Sequence, residues 1–550
     1  MKNDFPDLDF DIPLIEEDAS RPKESKPLYT LDVETDPFKY GRFPIPFACG
    51  LYDGKRFEST WGKNCIEEMI EKIMALPAGI IYMHNGGKFD IFYFMRLILG
   101  NPAFIVNRRI IRAIVKLNKG YHELRDSYAI MPFSLAQYEK DEIDYRLFEK
   151  ETRESNRAEI ISYLKKDCVS LFDLVDDFSL RFGPVLTIGT ASMRELQKLH
   201  SFERMGPLTD GLLRKSYYYG GRVEYFEHGV LKGDWKVYDV NSMYPFSMSR
   251  FDHPLGLPDM DTKKIRKATC FLTVEGKNYG AFPRRIGNSL RFDIEDGIFH
   301  VTRHEFDVAM EHDLFRPSRI VRCVNFMQRG NFNDFVTQYH DMRRTAKEKG
   351  DLRGALFYKY VLNSAYGKFA QNPKAYQRYV IDSLDSDWRD AGYTAALIPD
   401  DLPGIRPEWE FILWEKPSPD FSRYNVATGA SITGAARSVL LEAIANSERV
   451  IYCDTDSIIC KNLRNVKFHD SELGAWKLEA EADEAMIGGR KLYALTKNGE
   501  LVKMATKGVK IGIDEVREVC NGGTITYRRD APTFGLDGSV KFIERKVRAT

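Results

Sequence analysis

The chain has 550 residues, 43% of them hydrophobic and 29% charged, and its 80 Lys and Arg balance 80 Asp and Glu to a formal net charge of zero. These values describe a globular protein of more than one folding unit. They exclude a helical membrane protein, because no apolar stretch is long enough to span a bilayer, and a zinc or disulfide scaffold, because the eight Cys lie scattered without a CxxC pair and read as reduced, buried thiols of a cytoplasmic protein.

Residues 1–27 are acidic and contain Pro; lacking a basic start and an apolar core, they predict a mobile extension and not a signal peptide. The run from Leu28 to Val33 predicts a buried strand carrying Asp32, with Glu34 just beyond it. "IIYMHNGGKFDIFYFMRLIL" predicts a strand over 80–83, a Gly turn at 86–87 and a helix entered near Asp90, a unit typical of α/β domains. Helical periodicity over 157–182 places Tyr163 one turn before Asp167. A second set of elements begins near "YYYGGRVEYF" (217–226) and continues through "KVYDVNSMYPFSM" (236–248) as strand, turn and helix. Residues 255–330 hold short β-like runs between turn signals, 331–369 are helical with a break near Gly350, and 371–425 are polar and rich in Pro, Trp and Asp, as in an insertion. A helix over 431–446 leads into a strand that ends in "YCDTDS" (452–457).

Asp454 and Asp456 stand at i and i+2, which on a strand would put both on one face. Adjacent carboxylates raise each other's pKa unless a cation intervenes, and Mg²⁺ takes one or two carboxylates plus substrate phosphates. Alone, the pair reads more readily as a hairpin tip. Asp239, in a second strand-to-helix segment, reverses that preference, since three such acids could hold the two metals of an in-line phosphoryl transfer. Lys359, Asn363 and Tyr366 share one helical face, suited to a triphosphate and a base, or equally to an ordinary amphipathic helix. Asp32, Glu34, Asp90 and Asp167 with Tyr163 could make a separate two-metal hydrolytic site, although Asp90 also fits a simple N-cap. The neutral total charge requires local segregation on any polyanion-binding face; 107–120 and 342–354 are the basic stretches, each either a channel lining or a solvated face.

In order, "DVETD", "HNGGKFD", "YLKKD", "DVNSMYP", "KYVLNSAYG", "YCDTDS" and "KLY" resemble the three exonuclease motifs, polymerase motifs A, B and C, and the KxY motif of family B DNA polymerases. "YYGG" (218–221), "TGAAR" (433–437) and "KDEI" (140–143) resemble elements of its protein-primed branch, and the compact length resembles the tectivirus type. The resemblance covers about 28–510. It implies a multidomain chain of α/β and α+β parts: an RNase H-like 3′–5′ exonuclease domain at 28–200, then a palm, fingers and thumb polymerase domain at 205–550 with terminal-protein-region insertions. The palm would comprise about 217–255 and 426–485, the insertions about 255–330 and 371–425, the fingers about 331–370 and the thumb about 486–550.

The resemblance also implies roles. Asp239, the Val240 carbonyl and Asp456 would bind the polymerase metals, with Asp454 assisting. Asp32, Glu34, Asp90 and Asp167 would bind the exonuclease metals, with Tyr163 orienting water. Tyr244 would stack under the incoming sugar and exclude a 2′-hydroxyl; Arg343, Lys359, Asn363 and Tyr366 would contact the nucleotide. Lys491 and Tyr493 would steady the primer end, Asn85 and Phe89 the frayed single strand, and Lys140, Tyr218, Gly220, Gly221, Thr433 and Arg437 would contact DNA. The implied cofactor is Mg²⁺, two per site, with Mn²⁺ able to substitute. The implied partners of a monomer are primer-template DNA, dNTPs, single-stranded DNA and a terminal protein primer, with no membrane, in the cytoplasm of a bacterial host. Two alternatives remain open: a polymerase using nucleic-acid primers or none, and a catalytically silent DNA-binding scaffold.

Overall fold

The computed structural model describes residues 26–38, 43–107, 109–133, 143–266, 269–287, 289–372, 377–383, 385–395, 411–416, 424–529, 533–534 and 540–549. The N-terminal extension before residue 26 lies outside them.

The first half is built on a ten-stranded mixed sheet. The strand Leu28–Thr35 is third from one edge, parallel to Ile80–Met83, which in turn runs parallel to Tyr121–Asp126. Strands buried on both faces read as near-continuous apolar runs, as "LYTLDV" and "IIYM" do. The helix Arg157–Phe182 lies across Leu28–Thr35 and Pro46–Tyr52, as its periodicity predicted. Gly50 permits that approach: a Cβ there would stand 2.8 Å from Leu164 and 3.0 Å from the Cys168 thiol. The contact sets Asp167, one residue before Cys168, over the sheet.

The segment expected as an irregular insertion at 371–425 contributes strands to this sheet. Gln377–Ser383 pairs antiparallel with Pro102–Val106 and with Phe411–Lys416, and Val380, Ile381, Leu413 and Trp414 are buried. Polar composition hid two short runs, "RYVIDS" and "FILWEK", that are apolar on both faces: Ile381 and Leu413 join the core of the first-half sheet, while Val380 and Trp414 pack with Tyr393.

A second, seven-stranded antiparallel sheet carries the other half. Its order is Glu500–Thr506, Leu492–Lys497, Trp476–Gly489, Gly229–Val240, Ser457–Leu463, Ser447–Asp454, Val223–Tyr225. It runs without interruption past residue 485, where a boundary was expected. The helices Val426–Ala445 and Met243–Arg250 pack beside it. Val426–Ala445 starts on Asn425, whose side chain accepts from the N–H groups of Ala427 and Thr428. Residues 258–326 form a four-stranded antiparallel sheet with the helix Arg303–Glu311. The helices Asn333–Glu348 and Leu352–Phe369 meet at Gly350, whose φ of 73° breaks the helical run as expected. The helix Ile513–Cys520 and the paired strands Thr524–Arg528 and Glu544–Arg548 complete the described chain. All eight Cys are buried and unbridged, and no described helix is long and apolar enough to cross a membrane.

One buried ion pair ties these parts together. Arg437, on Val426–Ala445, is 3% exposed and donates Nε–H to Glu305 Oε1 at 2.7 Å. Its Nη1 donates to the carbonyls of Tyr219 and Gly220 at 2.8 and 2.9 Å. Glu305 meanwhile caps its own helix, with Oε2 accepting from the Thr302 N–H and hydroxyl. Removing one partner of a buried pair leaves an uncompensated charge, so Arg437→Met should lower unfolding free energy by about 3–5 kcal/mol, measured as a fall in the urea midpoint. Glu305→Gln in the Arg437→Met background should recover part of that loss.

Candidate functional site

The question raised by two acids in "YCDTDS" has a local answer. Of the two geometries the sequence offered, one strand face or a hairpin tip, the structure shows the tip: the strand Ser447–Asp454 ends at Asp454, Thr455 and Asp456 form a two-residue turn, and the return strand begins at Ser457. Thr455 takes φ 57°, the left-handed conformation such a turn requires. The turn, and not strand alternation, brings the carboxylates together. Asp239 is the penultimate residue of Gly229–Val240 and sits in register opposite Ser457. The Val240 N–H donates to the Asp456 carbonyl at 2.8 Å, and the Asp456 N–H to the Asp454 carbonyl at 2.6 Å. Asp239 and Asp456 are therefore fixed side by side by backbone bonds.

Their electrostatics show what the arrangement asks for. Burial, then the facing Asp456 and Glu479, push the Asp239 carboxyl up to about 7, against the pull of Lys503 and Lys477. Burial also raises Asp456, with Asp454 and Glu479 adding to it. Lys503 does not neutralise the pair, because it is itself ion-paired to Glu479. Two half-buried carboxylates with excess negative charge fit a divalent cation bound through oxygen.

Glu479 and Lys503 were not singled out as site residues. Glu479 lies on Trp476–Gly489, two residues past Lys477, which is in register with Asp239. Alternation in "KLEAEAD" alone would not place it, because a bulge between Leu478 and Ala480 sets Glu479 out of the regular register.

Around this pair stand the other residues of the second half. The Tyr244 and Tyr366 rings are stacked, with centroids 3.8 Å apart at 14°. Burial raises the Tyr244 hydroxyl, and Tyr366 adds to it. Lys359 and Asn363 are exposed on the helix of Tyr366. Arg343 is half-buried, burial lowers its guanidinium, and its Nε has no hydrogen-bond partner among the described residues. Lys491 extends Nζ to within 3.5 Å of Asp454 Oδ2, and its N–H donates to the Tyr452 hydroxyl at 2.9 Å. Tyr493 is buried against Tyr452. A cleft of about 600 Å³ opens beside Asp454, lined by Arg490, Lys491, Thr506 and Lys507.

Several expected DNA contacts sit differently. Arg437 and Thr433 are buried at 3% and 2%, and Arg437 is committed to Glu305 and two carbonyls, so neither faces a groove. Tyr218 is half-buried, Gly220 exposed, and Gly221 packed on Thr455. Within 107–120, Arg109 pairs with Asp126 and Arg112 with Glu123, so these two cations are bound into the sheet, while Lys116 and Lys119 are exposed and Arg108 lies outside the described residues. Residues 342–354 are largely exposed. Lys140 lies outside the described residues.

The first half holds a second acid cluster. One ligand oxygen from each of Asp32, Glu34 and Asp167 lies within 4.8 Å of the others. Asp32 and Glu34 alternate along Leu28–Thr35, and Asp167 reaches them from the helix above. Asp90 is buried and, with these three, acts on the Cys168 thiol, whose pKa burial and the four acids raise. Burial raises the Tyr163 hydroxyl, and Asp167, Tyr145, Glu34 and Asp32 add to it. Asn85 is exposed at φ 59°, and the Phe89 ring lies 5.4, 6.2 and 5.5 Å from those of Phe38, Phe43 and Tyr93. Asp126, also missed, accepts the Gly87 N–H at 3.2 Å and so pins the loop that carries Asn85 and Phe89.

The family described as DNA polymerase type B, organellar and viral, matches residues 136–400. The chain is 41% identical to the DNA-directed DNA polymerase of Enterobacteria phage PRD1, over 96% of its own length and 99% of the phage protein's. Among solved structures it resembles Phi29 DNA polymerase, at TM-score 0.73, with 96% of this chain and 100% of that one covered and 18% identity. Phi29 DNA polymerase complexed with primer-template DNA and incoming nucleotide substrates gives 0.70 at the same coverage and identity.

The raised Asp239 carboxyl has a consequence for stability. Its folded pKa lies above its ordinary value, so the native state holds the extra proton and metal-free stability falls as pH rises from about 4 to about 7. In EDTA, the wild-type urea midpoint relative to that of Asp239→Asn should therefore fall across this window, and saturating Mn²⁺ should remove the difference.

Proposed function

The chain belongs to the organellar and viral type B DNA polymerases and is a DNA-directed DNA polymerase; from that premise we propose that the Asp239–Asp456 pair is its nucleotidyl-transfer centre and that Asp32, Glu34, Asp90 and Asp167 form a separate 3′–5′ exonuclease centre. The observation that carries the first assignment is the register of Asp239 opposite Ser457, which sets it beside Asp456. The second rests on the convergence of Asp32, Glu34 and Asp167 from a strand and a helix far apart in sequence.

The residues divide the work. Asp239 and Asp456, with the Val240 carbonyl, would hold divalent ions, for which Mg²⁺ is the proposed metal. Bound there, and at the first-half acids, such ions supply Lewis-acid activation of the attacking oxygen and charge neutralisation at the leaving group. Asp454 does not bridge the pair; Lys491 draws it toward the cleft, where both would steady the primer terminus beside Tyr493. Lys359 and Arg343 supply cationic charge for the incoming triphosphate. Tyr244, held flat against Tyr366, offers a rigid face to the sugar and occupies the volume a 2′-hydroxyl would need. In the first half, the Tyr163 hydroxyl stays protonated and can orient the attacking water, and the Phe89 aromatic cluster offers a stacking face for an unpaired base.

The likeness to a phage polymerase over nearly its full length supports replication of a linear viral or plasmid genome in a bacterial cytoplasm. The four-stranded sheet at 258–326 and the strands at 377–416 stand where protein-primed relatives carry terminal-protein regions, which supports a protein primer. The attacking group at initiation would be a Ser, Thr or Tyr hydroxyl of that primer, and pyrophosphate would leave.

Asp456→Asn should abolish primer extension while single-strand trimming survives, and Asp32→Ala should do the reverse, each read on labelled oligonucleotides; loss of both activities in either folded variant would refute two independent sites. Tyr244→Ala should raise ribonucleotide incorporation by about 10-fold or more, in line with the loss of a buried, rigid steric contact. Incubating enzyme, Mg²⁺, one labelled dNTP and a candidate terminal protein should label that protein covalently; label appearing only on oligonucleotides would identify a nucleic-acid primer.

A further inference from the structure

We propose that Gly221 is a positioning residue for nucleotidyl transfer, its bare backbone being the seat on which Thr455 holds the Asp454–Asp456 turn in place. The resemblance assigned this glycine to DNA; its surroundings assign it to the catalytic hairpin. A Cβ built on Gly221 would stand 2.6 Å from Thr455 Oγ1, 2.8 Å from its Cγ2 and 3.1 Å from its Cβ. Real Cβ atoms do not come that close, and a β-branched side chain has little freedom to swing away. The adjacent Gly220 differs, since a Cβ there would meet nothing within 4 Å.

The neighbouring backbone makes the seat firm. The Thr455 N–H donates to the Arg222 carbonyl at 2.7 Å. The short strand Val223–Tyr225 then pairs with the hairpin itself, Val223 opposite Asp454, Glu224 opposite Cys453 and Tyr225 opposite Tyr452. Arg222 is buried, ion-paired to Glu224, and its guanidinium lies 4.2 Å from the Phe292 ring centroid, so the segment has little room to retreat. From the other side Thr455 donates its hydroxyl to Asp454 Oδ1 at 3.1 Å. Thr455 thus lies against both the linker and Asp454. Any side chain at 221 pushes on Thr455, and Thr455 cannot move without moving Asp454 and Asp456, its covalent neighbours.

The inference rests on the assignment of this turn to nucleotidyl transfer, and the experiment separates the two. Four proteins are compared by primer extension with varied dNTP: wild type, Gly221→Ala, Thr455→Gly and the double variant. Thr455→Gly removes the struck atoms and suits the φ of 57°. Gly221→Ala should lower kcat by about 10- to 100-fold, the cost of a misplacement on the ångström scale, with little change in KM for dNTP. In the Thr455→Gly background the same substitution should lower kcat by about 3-fold or less, because coupled sites lose additivity when the contact is gone. Equal penalties in the two backgrounds, or no penalty in the first, would overturn the inference and return Gly221 to a direct role on DNA. If Gly221→Ala does not fold by circular dichroism, the double variant decides: folding with the activity of Thr455→Gly supports the seat, and failure to fold overturns it. Full synthesis by Asp456→Asn would instead remove the site assignment itself, whatever the coupling.

Discussion

Everything in the second half serves to hold two carboxylates where they repel. At an effective dielectric of 20, like charges about 4 Å apart cost about 4 kcal/mol, whereas one backbone hydrogen bond contributes about 1 kcal/mol net. The bonds from Val240 to Asp456 and from Asp456 to Asp454 cannot meet that cost alone. They succeed because each belongs to the seven-stranded sheet, in which Gly229–Val240 is paired on both sides, to Ser457–Leu463 and to Trp476–Gly489. The apolar floor of Tyr238, Val240, Cys453, Ile458 and Trp476, closed by the helix at Leu440 and Ala443, anchors those strands. Burial first, and then the facing Asp456 and Glu479, leave the Asp239 carboxyl raised, an excess of negative charge that suits a divalent ion.

The first half solves the same problem with other elements. Asp32 and Glu34 come from one strand by alternation, and Asp167 from a helix brought close by Gly50. A strand and a crossing helix can be placed only by a core, which is why Leu31, Val33, Leu164 and Cys168 are all buried around the acids. In both halves the acids cluster at the surface of a large apolar foundation, and in both a tyrosine hydroxyl beside them is kept protonated by the same burial.

Much of this was legible in the sequence, and the failures share a cause. The helix at 157–182, the break at Gly350 and the strand-to-helix passage at 236–248 follow from periodicity and turn residues, which are local. Motif order carried the acids for the same reason, since each motif is a contiguous run. What the sequence hid depends on a partner distant in the chain. Arg437 reads as a cation for DNA until Glu305 and the Tyr219 and Gly220 carbonyls are placed around it. Arg109 and Arg112 read as a basic patch until Asp126 and Glu123 close on them. The strands at 377–383 and 411–416 read as insertion because their apolar runs are short and the edge they complete lies far earlier in the chain. The two acids of "YCDTDS" left a strand face and a hairpin tip both open, because two-residue turns leave almost no sequence outside the strands they join.

The segment 218–225 draws these observations together. It is the covalent connection between the two halves, yet it is also an edge strand of the seven-stranded sheet and a ligand of the Arg437–Glu305 pair. A connection that merely tethered two modules would need length and polarity and would bury little. This one buries Tyr219 and Arg222 and ends against Thr455. The helix Val426–Ala445, the insertion helix Arg303–Glu311 and the Asp454–Asp456 turn are therefore mechanically continuous through eight residues. That connection works beside other contacts between the halves, among them the pairing of Gln377–Ser383 with Pro102–Val106 and the Arg181–Asp351 ion pair. That continuity explains why a glycine stands at a position where the backbone conformation does not require one: Gly221 is not at positive φ, so space and not torsion selects it.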